Sequence, residues 1–150
     1  MKSLFEPATK AEVLKRIETM TPQAQRQWGK MDQAQVLAHC CAGLEMAMGI
    51  INPKRVFIGR LIGPLFRKKY SDEKPFDMES PTSEELKMTG STPDFQKEKQ
   101  RLIELVKKFS DGSEAIVTKN PHPFFGPLKP FEWGIGMYKH IDHHLRQFSN

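Results

Sequence analysis

The chain has 150 residues, 38% hydrophobic and 27% charged, with a formal net charge of +5. Those values describe one ordinary domain over residues 1–150, long enough to bury a core without staples, and they exclude a membrane span because no run of about 18 apolar residues occurs. Cys40 and Cys41 are adjacent and have no third cysteine to pair with, so a disulfide framework is excluded as well.

The first ten residues, MKSLFEPATK, contain no apolar signal core, and a cytoplasmic location is expected. A first helix is predicted from Thr9, which with Glu12 makes a capping box ahead of Val13, Leu14, Ile17 and Met20 at helical spacing. Thr21 and Pro22 stop it. Asp32, with Gln35 three residues on, caps a second helix running to about Ile50, where Asn52 and Pro53 end it. At 100° per residue, Asp32, Gln35, Val36, Gly43, Met46 and Ile50 fall within about 60° of His39, which places His39 on the inward stripe.

Residues 52–91 are rich in proline and glycine and read as a long irregular crossover. Within it, Lys54, Arg55, Arg60, Arg67, Lys68 and Lys69 occur with no acid between them, so all of the net positive charge belongs to this segment. Phe57, Ile58, Leu61, Ile62, Leu65 and Phe66 are interleaved with them. Two arrangements fit: a basic amphipathic helix of a turn or two around Gly59 and Gly63, able to touch a membrane surface or an anionic ligand, and, the one expected, a short excursion that lays its apolar side on the core and leaves the cations in water. Binding to nucleic acid or to anionic lipid is not expected on that reading.

A third helix is predicted from Thr92 as cap and Pro93 as first residue, with Phe95, Leu102, Ile103, Val106 and Phe109 on one stripe and Asp111-Gly112 at its end. Residues 113–117 read as an extended connection. A proline-bracketed aromatic loop follows, His122-Pro123-Phe124-Phe125-Gly126-Pro127, and a fourth helix starts near Pro130. On that helix Trp133, Gly136, Met137, His140, His144 and Gln147 share a face, with Asp142 opposite. Gly134 and Gly136 each cost about 1 kcal/mol relative to alanine, which calls for a packing reason. A residue without a side chain one turn before His140 is expected to leave open space for a substrate. Four helices with one long crossover between the second and third describe an all-α, antiparallel four-helix bundle.

His140 and His144 lie four apart, so their rings stack on one helix face about a turn apart, close enough to chelate a single cation. His39, inward on another helix, would complete a set of three imidazoles with open positions, the arrangement of a catalytic metal. Singly, each histidine is more often a satisfied core residue, and His143 offers an alternative i, i+3 pairing from the edge of the stripe. His122 has two readings, a residue at the mouth of any such site or, as expected, a turn residue held by Pro121 and Pro123. Gln35, Met46, Trp133, Gly136, Met137 and Gln147 are the expected pocket lining. No glycine-rich phosphate loop, nucleophile elbow or CxxC pair is present, and no catalytic residue is assigned.

Three words of the sequence carry a family resemblance: Trp28-Gly29-Lys30-Met31 leading to Gln35-Val36-Leu37-Ala38-His39-Cys40, then His122-Pro123-Phe124-Phe125-Gly126, then Glu132-Trp133 running to Tyr138-Lys139-His140-Ile141-Asp142-His143-His144-Leu145-Arg146-Gln147-Phe148. They span nearly the whole chain, which resembles the DinB-like metalloproteins and, within them, a branch known only as a domain of unknown function. The resemblance implies a four-helix bundle whose second-helix histidine and HxxxH pair bind a divalent metal, carried here by His39, His140 and His144. It further implies metal-dependent transfer of a low-molecular-weight thiol to a small electrophilic substrate. A non-catalytic stress-response or binding module is the alternative, and a metal-dependent hydrolase ranks third. Imidazole ligands do not separate zinc, nickel, iron and manganese. A homodimer is compatible with a bundle of this size.

Overall fold

The computed structural model describes residues 1–78, 86, 88 and 90–149. Among the described residues the protein is all-helical, with α1 Pro7–Thr19, α2 Gln33–Ala47, α3 Phe57–Ser71, α4 Phe95–Gly112, a 3-10 turn at Ser113–Ile116 and α5 Pro130–Arg146. Helix α2 packs on α4 and α5, α1 packs on α4 and α5, and α3 lies against α5. The second predicted helix is α2, and the predicted third and fourth are α4 and α5.

The core follows the inward stripes. Val13 and Ile17 of α1, Leu37, Cys41 and Leu44 of α2, Leu102, Val106 and Phe109 of α4, and Trp133, Met137, Ile141 and Leu145 of α5 are all buried. Fully burying a side chain of this size is worth about 1.5–3 kcal/mol, so these four stripes set how the helices face one another. At the surface, Asp142 points away from the core as expected, with Arg16 of α1 at 2.7 Å and Arg146 at 2.9 Å.

Several local expectations are corrected. Helix α1 begins at Pro7, because proline is pre-set for the first helical position. Thr9 therefore lies inside the helix, its hydroxyl donating to Glu6 at 3.1 Å, and no Thr9-Glu12 box forms. Helix α4 is capped by Asp94, whose carboxylate accepts from the Lys97 amide at 2.8 Å, so Thr92 and Pro93 stay outside. Residues 113–116 form a 3-10 turn instead of extended chain. By contrast, both bonds of the Asp32-Gln35 capping box are present, at 2.8 and 2.9 Å. Helix α2 stops at Ala47, with Gly49 at φ +72 just beyond.

The largest correction concerns the basic segment. Residues 57–71, expected within an irregular crossover, form a four-turn helix, and its apolar side faces outward. Phe57, Ile58, Leu61 and Leu65 are 77, 59, 65 and 79% exposed. The buried stripe is Gly59, Gly63 and Tyr70. A Cβ on Gly59 would meet the Phe124 backbone at 2.7 Å, and one on Gly63 would run into the Phe124 carbonyl. Helix α3 thus approaches the 122–126 loop through its glycines, with its bulky residues left on the far side. Arg67 fixes the orientation by a two-pronged contact to Glu132 of α5, at 2.6 and 3.2 Å. Lys139 of α5 does so from the other end, donating to the Lys69 carbonyl and to Asp72. Part of the remaining crossover lies outside the described residues.

Candidate metal centre

Helix phase brings the three expected histidines together. His39 from α2 and His140 and His144 from α5 place their ring centroids 4.7–4.9 Å apart, and one nitrogen of each lies within 4.8 Å of the others. They lie close enough to hold a metal ion. His39 and His144 are 2% and 7% exposed. Among the described residues no other group of histidine, cysteine and carboxylate side chains meets that condition.

Hydrogen bonds determine which nitrogens are available. His39 Nδ1 donates to the Leu86 carbonyl at 2.7 Å, and His144 Nδ1 donates to Gln147 Oε1 at 3.0 Å. Gln147 can only accept there because its amide nitrogen donates in turn to the Trp28 carbonyl at 2.7 Å. With Nδ1 donating, Nε2 of His39 and of His144 carries the lone pair, that of His39 accepting from His140, and this is the tautomer that outer partners of metal-bound imidazoles impose. His140 Nε2 lies 2.8 Å from His39 Nε2, while its Nδ1 is buried with no partner among the described residues. Metal-nitrogen bonds of about 2.1 Å set adjacent ligand nitrogens roughly 3 Å apart, so this spacing suits a shared cation.

The site holds its imidazoles neutral. Burial, then the rings of His39, His144, His143 and His122, keeps His140 well below the ordinary imidazole range. Burial does the same for His144, with His39 and His143 adding to it and the Gln147 bond opposing. His39 is lowered by burial against the opposing pull of the Leu86 carbonyl. Neutral imidazole is the form that binds metal, so no proton must leave first.

The remaining expected site residues divide. His143 is buried, with its ring edge-on to Trp28 at 5.9 Å and to Phe76 at 6.4 Å, and it does not join the cluster. His122 is a turn residue: its Nδ1 accepts from the amides of Phe124 and Phe125 at 3.1 and 3.3 Å, and burial pushes its pKa down to about 3. Gln35 is occupied by the α2 cap and by the Ser91 carbonyl, at 2.8 Å. Met46, Trp133 and Met137 are buried.

Gly136 does not leave open space. A Cβ there would fall inside the ring of Tyr70, which α3 inserts one turn before His140. The glycine that makes room for the cluster is Gly43, where a Cβ would lie 2.9 Å from His140 Cε1 and 3.0 Å from its Nδ1. Gly43 lies one turn beyond His39, and a small residue on an inward stripe was the signal for it. Nothing in the sequence marked Tyr70 or the Leu86 carbonyl. The Trp28-Gly29 word also gains a role, since Gly29, at φ +84, lets the Gln147 amide lie against the backbone.

The model of a family described as a protein of unknown function, DUF1569, matches residues 5–150. The chain belongs to that family. No curated protein and no solved structure matches it. The match takes in every element from α1 to α5, so the histidine cluster is a feature of a DUF1569 domain and not of an added segment.

Proposed function

We propose that this DUF1569 protein is a divalent-metal protein of DinB-like four-helix architecture, with His39, His140 and His144 as ligands, acting as a thiol-dependent transferase on small electrophiles. The observation that carries the reading is the convergence of three neutral imidazoles from two helices, two of them with the second nitrogen already fixed. Nickel, zinc, iron and manganese all suit that donor set. A cation so held lowers the pKa of a coordinated thiol or water and makes it a nucleophile at neutral pH.

The protein's own thiols are unsuited to that role. Burial raises the Cys40 thiol well above its usual range and pushes Cys41 up to about 12, so both stay protonated and the thiol must come from a small molecule. Buried donors stand ready for a bound ligand. The Tyr70 hydroxyl and the Trp133 indole N–H have no partner among the described residues, their rings lie 6.0 Å apart, and Tyr70 contacts Gly136 one turn before His140. Unpaired buried donors cost about 1–3 kcal/mol each, and a substrate oxygen would satisfy them.

A second reading, a non-catalytic module holding metal for stability, draws on the burial of the cluster and on the Tyr70 ring beside it. The experiment that separates the two is a screen of metal-loaded protein with low-molecular-weight thiols and model electrophiles. Turnover that disappears in His140→Ala supports the transferase. Full metal loading with no turnover on thiols or hydrolysable substrates supports the module.

A further inference from the structure

We propose that the outer face of α3 docks on an anionic lipid bilayer. Five of the nine exposed large hydrophobic side chains named for the described residues, Phe57, Ile58, Leu61, Leu65 and Phe66, lie on this one helix. Successive turns place Phe57, Leu61, Leu65 and Ile58 within about 100° of one another, a continuous apolar stripe on the solvent side.

The orientation is built into the helix. Gly59 and Gly63 lie against the Phe124 backbone, Tyr70 is buried beside Gly136, and Arg67 is held by Glu132. Rolling α3 to bury Leu61 and Leu65 would drive side chains into the Phe124 carbonyl and break that ion pair. The apolar face is therefore held outward by the contacts of the opposite face.

Charge selects the partner. Residues 54–69 hold six cations and no acid. Arg60, Lys68 and Lys69 are exposed along the helix, Lys69 having only the exposed Asp77 at 3.4 Å and the Phe66 ring beside it. An apolar stripe flanked by Arg60 and Lys69 and closed at its C-terminal end by Lys68 is what the interface of an anionic bilayer binds, acyl chains taking the stripe and headgroups the cations. A second copy of the chain fits less well. It would set like-charged segments face to face, and a 15-residue helix is about 22 Å long and about 10 Å wide, far less than the roughly 800 Å² each partner buries in a standard interface. Among the described residues no helix is long and apolar enough to cross a membrane, and the 15 residues of α3 fall short of the roughly 20 a span needs, so the proposed contact lies along the bilayer surface.

Sedimentation of the full chain with phosphatidylcholine vesicles, with and without phosphatidylglycerol, tests this. Binding is expected only to the anionic vesicles and should weaken as salt rises. Leu61→Glu with Leu65→Glu should weaken it at least about tenfold, and Lys68→Glu with Lys69→Glu by about fivefold or more per cation, both variants keeping native helicity and thermal midpoint. Failure of the native chain to sediment with anionic vesicles would overturn the proposal, as would unchanged binding by the leucine variant. So would a dimer in sedimentation equilibrium that the leucine variant dissociates, which would assign the face to a second copy.

Discussion

Gly43 of α2 stands directly against the imidazole of His140 of α5, leaving space in which a Cβ would lie 2.9 Å from Cε1. That contact lets two helices bring rings together at 2.8 Å between Nε2 atoms, and it separates metal binding from folding. Alanine at 43 gains up to about 1 kcal/mol of helix propensity while displacing the ring. Gly43→Ala should thus leave the thermal midpoint of metal-free protein within a few degrees and weaken metal affinity about tenfold or more, measured by competition with a chromogenic chelator. Unchanged affinity would mean that His140 is not held where Gly43 admits it.

Gln147 connects the Trp28 carbonyl to His144 Nδ1 through its two amide atoms. Gln147→Leu keeps the volume and removes both bonds, and loss of such an outer partner lowers metal affinity by about 10–100-fold. Gln147→Glu supplies an acceptor for His144 and should retain more affinity than leucine. Equal loss in the two variants would assign Gln147 a packing role only.

Tyr70 fills the space beside Gly136. Gly136→Ala should destabilise the fold by about 1–3 kcal/mol through overpacking, read from urea denaturation, and Gly136→Ala combined with Tyr70→Ala should recover part of it. An additive double variant would show that ring and glycine do not share the space.

Metal-free protein should lose stability on mild acidification. His39, His140, His144 and His122 titrate below their ordinary value in the folded chain, so the unfolded chain binds more protons as pH falls. Their contribution is complete above about pH 6.5 and declines below it, at about 1.4 kcal/mol per pH unit for each buried neutral ring. Chelator-treated protein should show a lower denaturation midpoint at pH 5.5 than at 7.5, pH values bracketing the roughly 6.5 of free imidazole. A flat profile would contradict the burial of the cluster.

The site was more legible in the sequence than the helix beside it. A rotation of 100° per residue placed His140 and His144 inward because they share the apolar stripe of α5, and His39 followed because α2 is buried over almost its whole length. Gln147 was placed on the right face, although its hydrogen bonds depend on a turn at Gly29 that phase does not describe. Helix α3 failed for a stated reason: periodicity reveals that a segment has two faces and not which one is inside. The apolar stripe of Leu61 and Leu65 is the side that periodicity marks, while glycines 59 and 63, which have no side chain to count, make the contact. The start of α1 differs because Pro7 outranks Thr9 as a boundary, and Gly136 because the residue that fills its space, Tyr70, comes from a segment expected to form no more than a helical turn or two.

Elemental analysis of untagged protein measures whether His39, His140 and His144 hold a metal. Close to one divalent ion per chain is expected, lost in His39→Ala, His140→Ala and His144→Ala, and retained in His143→Ala and His122→Ala. Native protein without stoichiometric divalent metal after growth and reconstitution with zinc, nickel, iron or manganese, or a His140→Ala variant that keeps its full complement, would contradict it.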